Sequence, residues 1–200
     1  MKNSQLDGCR KLVLPFLDER NYLQGTTLFD ALWPLADYPR SFFFRIRKKI
    51  FSNCIFISAN PANASGELIY PDGAIYIKEA PRQLPISRGT LDEKKLLVDF
   101  EYLSAGGFKI QVKNNDLLQA AVAGFKHFLL RNFPKPDEDE HWAFVGLRTK
   151  NWPKLYNGFL EVDQLYCNAG RARCVVNLEK AEKAELYFSL ASRNLPNNVN

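Results

Sequence analysis

The sequence contains little of what usually reveals a function directly. Only four of its 200 residues are cysteine and two are histidine, and no cysteines are spaced as C-x-x-C. The absence of C-x-x-C pairs argues against a structural zinc site, since such sites depend on closely paired ligands. No glycine-rich stretch ends in Lys-Ser or Lys-Thr, which argues against a phosphate-binding loop. We expect neither a metal ion nor another cofactor.

Long apolar segments are also missing. Residues 1–11 contain no apolar run that would form the core of a signal peptide. No segment reaches the roughly 18 apolar residues that a membrane-spanning helix needs. The sequence therefore predicts a cytoplasmic protein with reduced thiols and no membrane segment.

The residues that are present predict a packed interior. Hydrophobic residues make up 46% of the chain and aromatic residues 13%, which argues against disorder. The formal net charge is +5. A charge of this size permits a polyanionic partner but does not require one.

Short apolar runs separated by turn residues predict a sheet built from hairpins. The segment Phe42–Phe51 is expected to pair with Cys54–Ser58 through a turn at Ser52-Asn53. A second hairpin, Glu67–Lys78, is expected to turn at Pro71-Asp72-Gly73, because proline presets φ and glycine accepts positive φ. Further strands are predicted at Lys11–Phe16, Lys95–Leu103, Phe108–Lys113, Trp142–Arg148, Gly158–Tyr166 and Ala172–Asn177.

Helical spacing of apolar residues is clearest over Leu117–Asn132. Gly124 lies inside this segment, where it lines a ligand groove or allows a strand to approach closely. Two more helices are predicted, one within Tyr22–Ala36 with Thr26 or Thr27 as N-cap, and one from Glu179 to Arg193.

Together these elements predict an α+β fold. Its mostly antiparallel sheet packs against the long helix 117–132 and one or two others, in a ferredoxin-like or hot-dog-like arrangement. We expect either a single domain over residues 1–200 or two lobes. The lobes would be 1–133 and 142–193, joined by the acidic linker 134–141.

The Phe42–Phe51 segment carries the most specific functional pattern. Because side chains alternate along a strand, one face is expected to present Phe43, Arg45, Arg47, Lys49 and Phe51, which we call the basic face. Cations at this spacing can follow a sugar-phosphate backbone while aromatic rings stack on bases. The competing interpretation is an ordinary solvated strand face.

A second surface of this kind is predicted at the 148–154 loop. It combines Arg148, Lys150 and Lys154 with the aromatic ring of Trp152. The two surfaces predict a non-catalytic nucleic-acid-binding or nucleoprotein-assembly subunit, with RNA, DNA or another polyanion as partner.

Two other classes of function stay open. One is a small enzyme with a ligand cleft between sheet and helix, for example with hot-dog-like acyl chemistry, in which His127 or Asp99 acts as a base. Such an enzyme would have a deep apolar pocket ending at one of these groups. The other is a protein-interaction or inhibitor module, which would present an exposed aromatic patch.

Overall fold

The structure is a computed structural model. It describes residues 10–17, 22–80, 88–104, 106–113, 116–133, 137, 140–168, 170–178 and 183–192. The chain forms two compact units, Met1–Thr90 (unit 1) and Leu91–Asn200 (unit 2). Within the described ranges, no helix is long and apolar enough to cross a membrane.

Unit 1 contains an antiparallel sheet and a short helix. Its elements are β1 (Arg10–Leu12), β2 (Phe16–Leu17), α1 (Gly25–Leu32), β3 (Phe42–Ile46), β4 (Cys54–Ile57), β5 (Gly66–Tyr70), β6 (Gly73–Glu79) and β7 (Arg88–Gly89). The sheet order is β1-β4-β6-β5-β3, and β2 pairs separately with β7 in parallel. A 3₁₀ turn, Pro34–Ala36, follows α1.

Helix α1 packs its apolar side against β3. The Phe29 ring lies 5.4 Å from that of Phe42 and 5.6 Å from that of Phe44, measured between centroids. All three side chains are buried, as are Leu28 and Leu32 on the same helix. The alternation of buried residues along β3 agrees with the period-two pattern of the sequence.

The strand β3 ends at Ile46, five residues earlier than predicted. The N–H groups of Arg47 and Lys48 both donate to the Ser65 carbonyl, at 2.8 and 3.3 Å, which takes the chain out of the ladder. The predicted hairpin between β3 and β4 is wrong. Asn53 is buried and accepts hydrogen bonds from the N–H groups of Leu14 and Ala80, so β4 lies between β1 and β6.

The hairpin of β5 and β6 is confirmed. These strands pair antiparallel from Gly66↔Ile77 to Tyr70↔Gly73, with the turn at the predicted Pro-Asp-Gly sequence. On its other edge β5 pairs with β3, and this places Glu67 directly opposite Arg45. This register brings the opposite charges of Glu67 and Arg45 together.

Unit 2 wraps a larger antiparallel sheet around one long helix. Its elements are β8 (Val98–Leu103), β9 (Gly107–Val112), α2 (Leu117–Asn132), β10 (Glu140–Thr149), β11 (Gly158–Asn168), β12 (Arg171–Asn177) and β13 (Lys183–Ser192). The sheet order is β10-β13-β12-β11-β9-β8. A 3₁₀ turn, Glu93–Leu96, precedes β8.

Helix α2 has the predicted bounds, and Gly124 has a packing role. A Cβ atom at this position would lie 2.5 Å from Cε2 of Phe108, which is a buried residue of β9. Glycine therefore allows the helix to approach the sheet more closely than any other residue would. Phe108 fills the space that a ligand groove at Gly124 would need.

The predicted C-terminal helix is wrong, because Lys183–Ser192 forms β13. Ala184, Leu186 and Phe188 are buried at alternate positions, and β13 has pairing partners on both sides, β10 and β12. Residues 179–182 lie outside the described residues. A ferredoxin-like arrangement would need a second helix here, whereas a sheet packed against one long helix agrees with the hot-dog-like alternative.

The predicted α+β class with a largely antiparallel sheet is confirmed. The lobe boundaries proposed from the sequence stay a prediction. Most of the acidic linker, residues 134–136, 138 and 139, lies outside the described residues, whereas Glu140 and His141 belong to β10.

Candidate functional site

Two cations of the basic face bind one carboxylate within unit 1. Arg45 donates from Nε and Nη2 to Oε1 of Glu67 at 3.0 and 2.5 Å, and Arg47 donates from Nη2 to Oε2 at 2.7 Å. The Glu67 side chain is only 3% exposed. A buried carboxylate needs such partners, so these two cations have a structural role within unit 1.

The rest of the basic face does not form a flat platform. Phe43 is half-buried beneath the Arg45 guanidinium, whose carbon lies 5.6 Å from the ring centroid. Lys49 and Phe51 lie beyond the end of β3, so they do not continue its alternation. Lys49 Nζ lies 4.8 Å from the centroid of the Tyr22 ring instead.

The 148–154 loop does not present the predicted aromatic contact surface. Trp152 is 2% exposed and belongs to the core, whereas Arg148, Lys150 and Lys154 are exposed. A buried indole cannot stack on a base, so this loop presents cations alone.

The bases considered for an enzymatic role lie on the surface of unit 2. His127 is exposed and its ring is edge-on to that of Phe100, with 5.0 Å between centroids. Asp99 is exposed in the irregular part of β8 and has a left-handed backbone, with φ of 48°. Neither side chain ends a buried apolar pocket of the predicted kind. Across the described ranges, no three His, Cys, Asp or Glu side chains are grouped so as to hold a metal ion.

A different cluster of polar groups occurs at the N-terminus of α1. The helix begins at Gly25 with Gln24 as its N-cap, and the Gln24 side chain makes no capping hydrogen bond. Leu28 is the first residue whose N–H bonds to a helical carbonyl, that of Gln24, at 3.0 Å. The N–H groups of the three preceding residues therefore have no acceptor inside the helix.

This helix end is enclosed rather than solvated. Gln24 is 7% exposed and Thr26 5%, and Gly25 is buried. The Nε2 atom of Gln24 is buried and has no hydrogen-bond partner. Because an unsatisfied buried amide costs about 1–3 kcal/mol, this donor and the helical N–H groups favour an acceptor brought by a ligand.

The Ile50–Phe51 peptide group lies between Leu23 and the carboxylate of Glu79, because its carbonyl and its N–H point to opposite sides. The Ile50 carbonyl accepts from the Leu23 N–H at 2.9 Å, and the N–H of the same peptide, that of Phe51, donates to Oε1 of Glu79 at 2.8 Å. Oε2 of Glu79 faces Lys48 Nζ at 3.4 Å, and the side chain is 29% exposed. Each oxygen of Glu79 thus has one partner, and the side chain is partly exposed.

The buried thiols do not add a nucleophile. Burial, together with the charge of Glu79 directly across the strand pair, raises the pKa of Cys54 to about 12. Burial also raises the pKa of Cys174 well above its ordinary value. Both side chains are neutral thiols at physiological pH, and the thiolate is the reactive form of cysteine.

Sequence reasoning did not identify Gln24 or a role for Glu79. A glutamine before Gly-Thr-Thr is an uncommon N-cap, since Ser, Thr, Asp and Asn are strongly preferred. This uncommon N-cap residue was the feature of the sequence that could have pointed to the helix end. The contact between residues 22–24 and residues 49–51 depends on the folded chain and could not be read from spacing.

Comparisons with known proteins gave matches by structure alone. No family model and no curated protein matches the chain. An acyl-ACP thioesterase from Bacteroides thetaiotaomicron has a TM-score of 0.45 at 10% identity, covering 92% of this chain and 97% of that one. A candidate oleoyl thioesterase from Lactobacillus plantarum has a TM-score of 0.42 at 10% identity, covering 92% of this chain and 95% of that one.

These two structures are described as thioesterases. Within unit 1, Arg45 and Arg47 are paired with Glu67. The prediction of a non-catalytic nucleic-acid-binding or nucleoprotein-assembly subunit is therefore wrong.

Proposed function

We propose that this protein hydrolyses an acyl thioester or a related acyl ester, with its reactive centre at the N-terminus of α1. The observation that carries the proposal is the buried, unpartnered amide of Gln24 next to helical N–H groups that have no acceptor inside the helix. Acyl transfer needs such donors, because the carbonyl oxygen becomes an anion in the tetrahedral transition state.

The helix end suits a charge that develops during the reaction. The N-terminus of a helix carries a partial positive charge, and α1 has no acidic residue in its first turn to offset it. Because the donors are enclosed, their interaction with an oxyanion is weakly screened by water. The same donors bind a neutral carbonyl less strongly, and this difference lowers the barrier.

Glu79 is the base in this proposal. Its carboxylate accepts a proton from a water molecule as the water oxygen attacks the carbonyl carbon. The C–S or C–O bond then breaks, and the proton passes from Glu79 to the departing sulfur or oxygen, leaving a free acid and a thiol or alcohol. Water is the nucleophile in this proposal, because Cys54 is a neutral thiol.

The test uses the full chain with acyl thioesters of short, medium and long chain length, measuring thiol release. We expect hydrolysis by the wild type and a loss of about 10²–10⁴-fold in kcat for Glu79→Gln, the typical contribution of a general base. Glu161→Gln is the matched control, because Glu161 is exposed in unit 2, and it should keep the wild-type rate. No hydrolysis by the wild type, or an unchanged rate in Glu79→Gln, would overturn the proposal.

A further inference from the structure

The connection between β10 and β11 presents apolar side chains to solvent. Leu155 is 71% exposed, more than any other large hydrophobic residue that the structure describes. Phe159, the second residue of β11, is 50% exposed. Single exposed apolar residues are common on protein surfaces, whereas neighbouring ones of this size indicate a contact surface.

The backbone around Leu155 is held in place. Trp152 and Tyr156 are both buried, so the chain is anchored in the interior on either side of Leu155. The Tyr156 hydroxyl donates to the Phe159 carbonyl at 2.6 Å, which ties the end of the connection to β11. The exposure of Leu155 therefore comes from a fixed turn of the chain.

This connection is surrounded by positive charge. Lys150 and Lys154 are exposed within it, and Lys113 is exposed where β9 ends beside Gly158. No Asp or Glu occurs between residues 141 and 160. An apolar tip with cations around it and no acid in its own segment is complementary to a surface that is both apolar and anionic.

A further lysine lies on Phe159. Lys109 Nζ is 4.7 Å from the centroid of the Phe159 ring, and Glu161 is the partner of Lys109 across the strand pair. A ring covered by an ammonium group combines an apolar body with a hydrated charge. Aromatic and aliphatic side chains next to lysines are typical of proteins that lie at the boundary between lipid headgroups and acyl chains.

We propose that the β10–β11 connection docks unit 2 on an anionic lipid surface. Leu155 enters the acyl region, and Lys150 and Lys154 lie against the headgroup phosphates. Burial of a leucine is favourable, and each lysine near an anionic leaflet strengthens binding. A protein partner fits less well, since lysine is depleted in protein–protein interfaces. These residues all belong to unit 2, so the inference does not rest on the proposed hydrolysis.

Binding is measured by sedimenting the full chain with vesicles of phosphatidylcholine and phosphatidylglycerol, and with vesicles of phosphatidylcholine alone. We expect the wild type to bind the anionic vesicles much more tightly than the neutral ones. The double variant Lys150→Gln/Lys154→Gln should bind the anionic vesicles about 30-fold more weakly. Leu155→Asn should bind them about tenfold more weakly.

Two control variants remove comparable side chains from other surfaces. Leu130→Asn removes an exposed leucine of α2, and Lys78→Gln removes an exposed cation of β6. Both should bind the anionic vesicles as the wild type does. All the substituted residues are exposed, so the variants should keep the wild-type melting temperature, which confirms that they are folded.

The inference is overturned if the wild type does not bind anionic vesicles, or if Leu155→Asn binds them as tightly as the wild type. It is also overturned if binding is the same with neutral vesicles, because the lysines would then have no role. Polyglutamate serves as a probe for an acidic protein partner. Binding of polyglutamate through Lys150 and Lys154 without binding of vesicles would assign the surface to such a partner and refute the lipid contact.

Discussion

Replacing Gln24 with methionine should make the protein more stable and less active. The two side chains have nearly the same size and shape, so the change removes the amide without opening a cavity. The Nε2 atom of Gln24 is buried without a hydrogen-bond partner, and this arrangement costs about 1–3 kcal/mol. We expect Gln24→Met to recover about 1–2 kcal/mol of that cost.

The assay for stability is urea unfolding, supported by the melting temperature. For a chain of this size, each kcal/mol raises Tm by about 2–4 °C. Thioester hydrolysis measured on the same preparation should fall by about 10²–10³-fold in kcat, as expected for the loss of one oxyanion donor. A gain in stability coupled to a loss of activity is the signature of a donor kept for a ligand.

Gln111→Met serves as the control, because Gln111 is half-buried in β9 of unit 2 and lies outside the proposed site. It should leave the activity unchanged. The reasoning is refuted if Gln24→Met destabilises the protein while hydrolysis continues at the wild-type rate. In that case the amide would have a structural partner and no part in the reaction.

Two further changes test the packing and the charges of the units separately. Gly124→Ala should destabilise the protein by about 1–3 kcal/mol in urea unfolding, because its Cβ would meet Phe108 at 2.5 Å; a stabilised variant would contradict the close approach of α2 and β9. The raised pKa of Cys54 adds stability that is fully present below the ordinary thiol pKa and is lost as pH rises through about 12. Cys54→Ala should therefore lose less stability than the wild type over this alkaline range, and identical losses would show that the thiol is not buried as described.

Local signals predicted part of the fold well. The β5–β6 hairpin follows from Pro71-Asp72-Gly73, where each residue favours the turn for its own steric reason. Helix α2 follows from an apolar stripe long enough to exclude a strand. Both elements depend on neighbours in sequence, and that is why the sequence alone was sufficient.

Long-range pairing decided the elements that were predicted wrongly. The segment of β13 contains good helix formers, but two neighbouring strands provide hydrogen bonds on both of its edges. The order of β3, β4 and β5 depends on Asn53, whose partners Leu14 and Ala80 are far from it in sequence. Propensity cannot anticipate contacts of this kind.

The site was predicted poorly for the same reason. The sequence correctly placed Arg45 on the face opposite Phe42 and Phe44, but the carboxylate that binds it lies 22 residues away. Without that partner, the cations were interpreted as a surface for phosphates. The proposed site likewise joins residues 22–24 to residues 49–51 and 79, three stretches that only the folded sheet brings together.

Glu67 also determines how β3 and β5 align during folding. In the native register it faces Arg45, and Leu68 faces Phe44. A slip of one residue would place the carboxylate opposite Phe44 or Ile46 and turn it to the face that packs against α1. Because an unpaired buried charge costs several kcal/mol, the misaligned registers have a higher free energy than the native one. The ion pairs of Arg45 and Arg47 with Glu67 thus favour a single register for this short strand pair.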